Sequence, residues 1–278
     1  MPVLKDIALG KYVSVDSAVH RLDPRTKFLG LMLLMTAIVS TPGFGAMGLF
    51  TLFLTAAVAL SNIPFVFVLK NLRPFVWLFS FTLLFHAFMT AGTVIWQLPA
   101  LGLVLTFEGL YAGAFFCARL SILVTLASLL TLTTTPMELT DGLERILGPL
   151  KRFRFPAHEL AMMVTIALRF IPVLVEEAER LQKAQTARGA DFGGGPIQRV
   201  RKLVPLLVPL FISAFSRADR LALAMESRCY RGGEGRTSYS ELAFHGRDLR
   251  AGIAVVIAVA CAALIPNFPD WLNGWLNG

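Results

Sequence analysis

Residues 28–69 read FLGLMLLMTAIVSTPGFGAMGLFTLFLTAAVALSNIPFVFVL, without one charged side chain. The hydrocarbon core of a bilayer takes about 20 apolar residues per helical span, so this run is too long for one untilted helix. Thr41-Pro42-Gly43 breaks it into two spans, 28–40 and 44–60. Residues 74–107 again contain no Asp, Glu, Lys or Arg. They give a third span over 74–91, followed by a Gly- and Pro-punctuated loop through Gly102. A fourth span covers 103–132, interrupted by Glu108 and Arg119, and a fifth covers 251–266. The fold class expected is an all-α integral membrane protein with about five transmembrane helices.

Composition agrees with that class. The chain has 278 residues, 55% hydrophobic and 16% charged, with a mean hydropathy of +0.65, which excludes an ordinary soluble globule. Its net charge of +8 is not that of a nucleic-acid binder, because the basic residues are segregated from the apolar runs. Cys117, Cys229 and Cys261 show no C-x-x-C spacing, so neither a disulfide framework nor a metal site is expected.

Lys and Arg resist translocation and so set orientation. Lys5, Lys11, Arg21, Arg25 and Lys27 place residues 1–27 in the cytoplasm, with no cleavable signal. Two spans return Lys70 and Arg73 to the inside, and the loop 92–102, free of Lys and Arg, faces outward. The region 28–133 then delivers residues 134–250, which hold 18 of the 26 basic residues, to the cytoplasm. The last span and an extracytoplasmic tail make up 251–278, with Trp271 and Trp275 as interfacial anchors. For a prokaryotic source the location expected is the plasma (inner) membrane.

The insert 134–250 carries the informative patterns. Thr135-Pro136-Met137-Glu138 is a capping box with proline at the first helical position. The helix it opens has Leu139, Leu143, Ile146, Leu147 and Leu150 on one face and ends at Gly148-Pro149. Pro156 opens a second helix, apolar through Val175 except at Glu159 and Arg169, crossed by Pro172, amphipathic afterwards, and ending at Gly189 and the Gly193-Gly194-Gly195-Pro196 break. A third helix repeats the plan, with a basic start, Pro205 and Pro209, and an amphipathic end at Arg228 before Gly232-Gly233. Prolines free backbone carbonyls and permit bends.

The two helix ends match at an offset of 40 residues: Ala178-Glu179-Arg180-Leu181, Ala184 and Arg188 against Ala218-Asp219-Arg220-Leu221, Ala224 and Arg228. For a single arginine, a favourable place at the negative end of the helix dipole is sufficient reason. For two at matching positions, a paired docking device is the stronger reading, because guanidinium stays charged and forks onto carboxylates.

At these residues the chain resembles the transmembrane (T) components of energy-coupling-factor (ECF) transporters, the EcfT/CbiQ-like family of vitamin and metal importers. The resemblance rests on the opening Ser17-Ala18-Val19-His20-Arg21-Leu22-Asp23-Pro24-Arg25-Thr26-Lys27, on Leu132-Thr133-Thr134-Thr135-Pro136 and Leu168-Arg169-Phe170-Ile171-Pro172, and on two short signatures, Ala187-Arg188-Gly189 and Ser227-Arg228-Cys229. It implies that the signature helices are cytoplasmic coupling helices that cross one another, and that each signature arginine docks one of two ABC-type ATPase subunits. It also implies that a separate membrane protein, the S component, binds the vitamin or transition-metal ion. The second signature departs from the common form in having Ser for Ala and Cys for Gly; whether Cys229 ends its helix, or Tyr230 and Arg231 continue it, is the open point.

No G-x-x-x-x-G-K-[ST] occurs, so no catalytic or cofactor residue is expected on this chain, and ATP and Mg belong to the partner ATPase subunits. An intramembrane enzyme lacks a motif: Arg119 and Arg169 are read as pairing with carboxylates or carbonyls, His86 as packed and neutral, and Glu108 as opening the fourth helix at the outer surface. The alternative is a self-sufficient secondary transporter or channel, which would need a polar midplane site that the early spans do not offer. A lipid-holding scaffold of basic amphipathic helices accounts for the basic insert but not for its repeat.

Overall fold

The Thr41-Pro42-Gly43 break does separate two helices in the computed structural model, which describes residues 12–41, 43–98, 103–149, 156–193, 195–232 and 244–265. The first, α1, covers Pro24–Ser40, and the second, α2, covers Phe44–Leu60. Then come α3 (Phe65–Leu72), a 3-10 turn (Arg73–Phe75) and α4 (Val76–Met89). A hairpin of β1 (Val94–Leu98) and β2 (Leu103–Thr106) leads into α5 (Phe107–Thr133) and α6 (Pro136–Leu147). Two long helices, α7 (Ala157–Ala187) and α8 (Pro196–Ser227), precede α9 (Gly246–Leu264). The chain divides into two compact units, one of residues 11–142 with 242–278, the other of 143–241 with 1–10. Lys5, Lys11, Pro42, Gly102, Leu150, Gly194, Gly233, Trp271 and Trp275 lie outside the described residues.

Several boundaries differ from the sequence expectation. The third span starts at Phe65 rather than at residue 74, because Pro74 sits at the start of a 3-10 turn, where its missing N–H costs nothing and the chain stays helical. Lys70 and Arg73 therefore lie within the helical run instead of before it. Residues 103–106 are a strand, antiparallel to β1, and the fourth helix begins at Phe107. The first and fifth helices extend toward the N-terminus, to Pro24 and Gly246.

Among the described residues, three helical runs are long and apolar enough to cross a membrane: Phe65–Met89, Phe107–Thr133 and Ala157–Ala187. Phe44–Leu60 is apolar but shorter. α7, which the sequence places in the cytoplasmic coupling region, is included by length and composition, its charges being gathered near its C-terminal end.

In the unit of residues 11–142 with 242–278, α1, α2, α5 and α9 share a core with Leu34, Ile38, Phe50, Leu126 and Ala262 buried at its centre. Packing of α5 on α4 depends on Gly109 and Gly113, a small-xxx-small pair. A Cβ at Gly109 would collide with the His86 carbonyl and stand 2.6 Å from the Thr106 hydroxyl, and one at Gly113 would lie 3.1 Å from Leu83. Thr106 caps α5 by accepting from Gly109 N–H. Glu108 is buried in the first turn, its carboxylate accepting from the Thr93 amide at 2.6 Å and the Thr93 hydroxyl at 2.9 Å.

The opening motif is a clasp. Its Asp23 caps α1 by accepting from Arg25 N–H at 2.9 Å, while Asp23 N–H donates to the Asp248 carboxylate of α9 at 2.7 Å. Lys27 donates to the carbonyls of His20 at 3.0 Å and Thr133 at 2.9 Å, which joins the opening motif to the Thr133-Thr134-Thr135 segment. The capping box forms as expected: Glu138 N–H donates to the Thr135 hydroxyl and Thr135 N–H to the Glu138 carboxylate.

Of the other ionisable groups in the apolar helices, Arg119 and His86 find structural partners, whereas Arg169, expected to pair with a carboxylate or carbonyl, does not among the described residues. Arg119 donates to the Thr41 carbonyl and lies 4.6 Å from the Phe115 ring centre. His86 bonds the Thr82 carbonyl at 3.0 Å and packs on Phe116. Arg169 is exposed on α7.

Candidate functional site

Both signature helices end by the same hydrogen-bond pattern. After α7, Gly189 N–H donates to Thr186 O and Ala190 N–H to Gln185 O, each at 3.0 Å. After α8, Cys229 N–H donates to Glu226 O at 2.9 Å and Tyr230 N–H to Met225 O at 3.0 Å. Every donor and acceptor of the second set is displaced by 40 residues from the first. This is the Schellman arrangement, which requires a left-handed residue just past the helix. Gly189 takes it at φ 89° and Cys229 at φ 55°. The open point is thereby answered: Cys229 ends its helix as glycine would, and Tyr230 does not continue it.

Each signature residue therefore has the same place in its own copy. Ala187 and Ser227 are the last helical residues, Arg188 and Arg228 are the C-caps, and Gly189 and Cys229 are the left-handed turn. All six are exposed. Among the described residues neither Arg188 nor Arg228 has an ion-pair partner. Two permanent cations are held in open positions by rigid backbone caps.

The helices run antiparallel. Tyr230 donates to the Met162 sulfur at 3.0 Å, Arg217 pairs with Glu177 at 3.4 Å, and Lys202 pairs with Asp191 at 2.8 Å, so contacts climb one helix as they descend the other. Glu177 and Arg217 are themselves 40 residues apart, as are Met162 and Lys202. Equivalent residues meet at the centre, and the equivalent Met162 and Lys202 are contacted at opposite ends by residues 39 apart, Tyr230 and Asp191, which approximates a local two-fold relation. Sequence reading placed Glu177 only on the charged side of its helix; opposite charges at matching repeat positions were the available signal. From the crossing to either arginine is about 16 Å at about 1.5 Å per residue, with no proline in either arm. Pro172, Pro205 and Pro209 lie on the far side of the crossing from their own arginines and leave α7 and α8 continuous.

The two ends are alike in backbone but not in surroundings. At the Arg228 end, Met162, Ile166, Leu221, Met225 and Tyr230 line a groove of 570 Å³ with the arginine among its walls. His158 stands beside Tyr230 at 3.5 Å and bonds the Glu144 carboxylate at 2.8 Å. At the Arg188 end, Asp191 accepts from Lys202 and from Gly193 N–H at 2.8 Å each. The Lys202 ammonium, with that amide, holds the Asp191 carboxyl below its ordinary value of 3.8. Among the described residues no cluster of His, Cys, Asp and Glu fits a metal ion.

Comparison with known proteins identifies the family. A family model described as CbiQ, cobalt transport protein, matches residues 16–239. The energy-coupling factor transporter transmembrane protein EcfT of Bacillus subtilis (strain 168) is 46% identical over 261 residues, 93% of this chain and 97% of the relative. Its namesake in Thermosediminibacter oceani is 50% identical over 266 residues, 95% of this chain and 99% of the relative. That of Heliobacterium modesticaldum is 49% identical over 255 residues, 91% of this chain and 95% of the relative. The chain belongs to the EcfT/CbiQ family of energy-coupling factor transporter transmembrane proteins.

Proposed function

We propose that this chain couples ATP hydrolysis by two cytoplasmic ABC-type ATPase subunits to uptake of a vitamin or transition-metal ion held by a separate S component. The observation that carries the reading is the repeated cap: two exposed arginines, each fixed by the same hydrogen bonds at opposite ends of an antiparallel helix pair. A two-fold-like pair of cations suits a partner with two similar halves. Rigid arms between the crossing and each arginine would carry motion of either ATPase to the crossing itself.

Exposed Val204, Leu207, Val208, Phe211, Ile212 and Phe215 on α8 supply an apolar face for the S component. Catalysis is placed off this chain, with ATP and Mg on the ATPase subunits. Residues 1–27 and 134–250 face the cytoplasm of a prokaryotic cell in this reading, and the rest is inserted in its plasma membrane. Although α7 is long enough to span, both its flanks are basic, with Lys151, Arg152 and Arg154 before it and Arg180, Lys183 and Arg188 toward its end. Crossing would export one of these clusters against the positive-inside rule.

Purification of the tagged full chain from its own membranes tests the proposal. Two ABC-type subunits, or a dimer of one, should accompany it, and proteoliposomes should take up substrate only with ATP. Uptake driven by an ion gradient without ATPase subunits would replace the proposal with a secondary transporter.

A further inference from the structure

An apolar groove of 800 Å³ lies between α1 and α9. Leu29, Leu33, Leu249, Ile253, Val256 and Ile257 form its walls, and all six are exposed. Gly30 and Gly252 open its floor, and a Cβ at Gly252 would meet nothing within 4 Å.

One end of the groove is polar. Phe244, His245 and Gly246 line it there, with Arg25 stacked over the Phe244 ring at 5.1 Å. Arg250 donates through Nε to the Gly246 carbonyl at 3.3 Å, which seats its guanidinium at this rim, and Arg247 follows Gly246 directly. Both arginines are exposed. Asp248, the acid in the lining, is buried, and its two oxygens already accept from Asp23 N–H at 2.7 Å and His245 N–H at 2.8 Å. Cations in the first turns of a helix oppose its dipole, so helix stability does not account for Arg247 and Arg250. The electrostatic balance at this rim favours an anion.

Length selects the kind of anion. From Gly246 to Ile257 the groove follows α9 for about 16 Å at about 1.5 Å per residue. That is about half of the roughly 30 Å hydrocarbon core, the depth of one leaflet. A partner's transmembrane helix would need the full thickness; an acyl chain whose headgroup lies at the rim needs this half. We propose that the groove seats an acyl chain of an anionic phospholipid whose phosphate is held by Arg247 and Arg250. On the topology proposed above, the lipid belongs to the cytoplasmic leaflet. The inference requires that the chain is in a membrane and does not depend on ATPase docking.

Native mass spectrometry of the full chain in mild detergent, titrated with phosphatidylglycerol or phosphatidylcholine, tests this. The parent should retain one phosphatidylglycerol at least about fivefold in preference to phosphatidylcholine, the effect of about one basic contact near anionic lipid. R247Q/R250Q, at two exposed positions, should keep its thermal melting and lose the preference. Gly252→Leu, or Val256→Trp should the first fail to fold, should lower retention of both lipids by filling the groove. Equal retention of the two lipids by the parent, an undiminished preference in R247Q/R250Q, or a dimer of the chain in place of a lipid adduct would overturn the proposal.

Discussion

Glu177 and Arg217 occupy the same position in two copies of a 40-residue repeat and form an ion pair with each other at 3.4 Å. Two copies of identical sequence would meet there with like charges. Opposite charges make the crossing attractive and tie α7 to α8 at the centre of their two-fold-like arrangement. Both side chains are partly exposed, 24% for Glu177 and 34% for Arg217. A double-mutant cycle of Glu177→Ala and Arg217→Ala, read from thermal melting, should therefore give a coupling of about 0.2–1 kcal/mol. The swap E177R/R217E should recover most of it.

The left-handed caps make a second prediction. A side chain in that conformation costs about 1–2 kcal/mol, less about 0.4–1 kcal/mol that glycine loses in backbone entropy. Cys229→Gly should raise stability by roughly that difference, and Gly189→Ala should lower it by a similar amount. Melting temperatures of the purified proteins check both signs. Transport should survive Cys229→Gly, because the position of Arg228 is kept.

Close helix approach gives a third. Gly109→Ala would drive a methyl into the His86 carbonyl of α4 and should cost about 1–3 kcal/mol, visible as lower membrane yield and earlier melting. Gly113→Ala, whose methyl would stand 3.1 Å from both the Leu83 side chain and the Leu83 carbonyl, should cost less, since a shift of a few tenths of an ångström relieves a contact at that distance and not the deeper clash at Gly109. Gly92→Ala would strike the Glu108 carboxylate and break its bonds to Thr93.

Much of this arrangement was legible before any coordinates. The end of α1 and the start of α2 follow from one break, Thr41-Pro42-Gly43, because an apolar helix has no other reason to stop there. The repeated arginines were legible because offset matching needs no structure. Other features were not. Val94-Ile95-Trp96, expected in a loop, and Val104-Leu105, expected in a helix, are apolar and uncharged, so a charge-based reading does not reveal a hairpin there. Lys70 and Arg73 suggest the border of a span, but a 3-10 turn around Pro74 lets the helix run past them. The cap at Cys229 violates the usual choice of glycine and could be settled only by its backbone angle.

The Arg188 end should also respond to acid. Because Lys202 and Gly193 N–H hold Asp191 below its ordinary 3.8, their stabilising effect is complete above that value and is lost as pH falls through the lower folded value. Limited acid proteolysis between α7 and α8 should set in at higher pH in Lys202→Met than in the parent, and Asp191→Asn should remove the dependence.

In the proposed coupling, Arg188 and Arg228 each dock one ATPase subunit. Loss of one partner from a buried pair costs about 3–5 kcal/mol, more than a hundredfold in affinity. The most direct measurement is ATP-dependent uptake in proteoliposomes carrying the assembled transporter with the parent chain or R188A/R228A, alongside co-purification of the ATPase subunits. The account predicts that the double variant inserts normally, loses its ATPase subunits and transports nothing. Full ATP-dependent uptake by R188A/R228A, with both ATPase subunits retained, would contradict it.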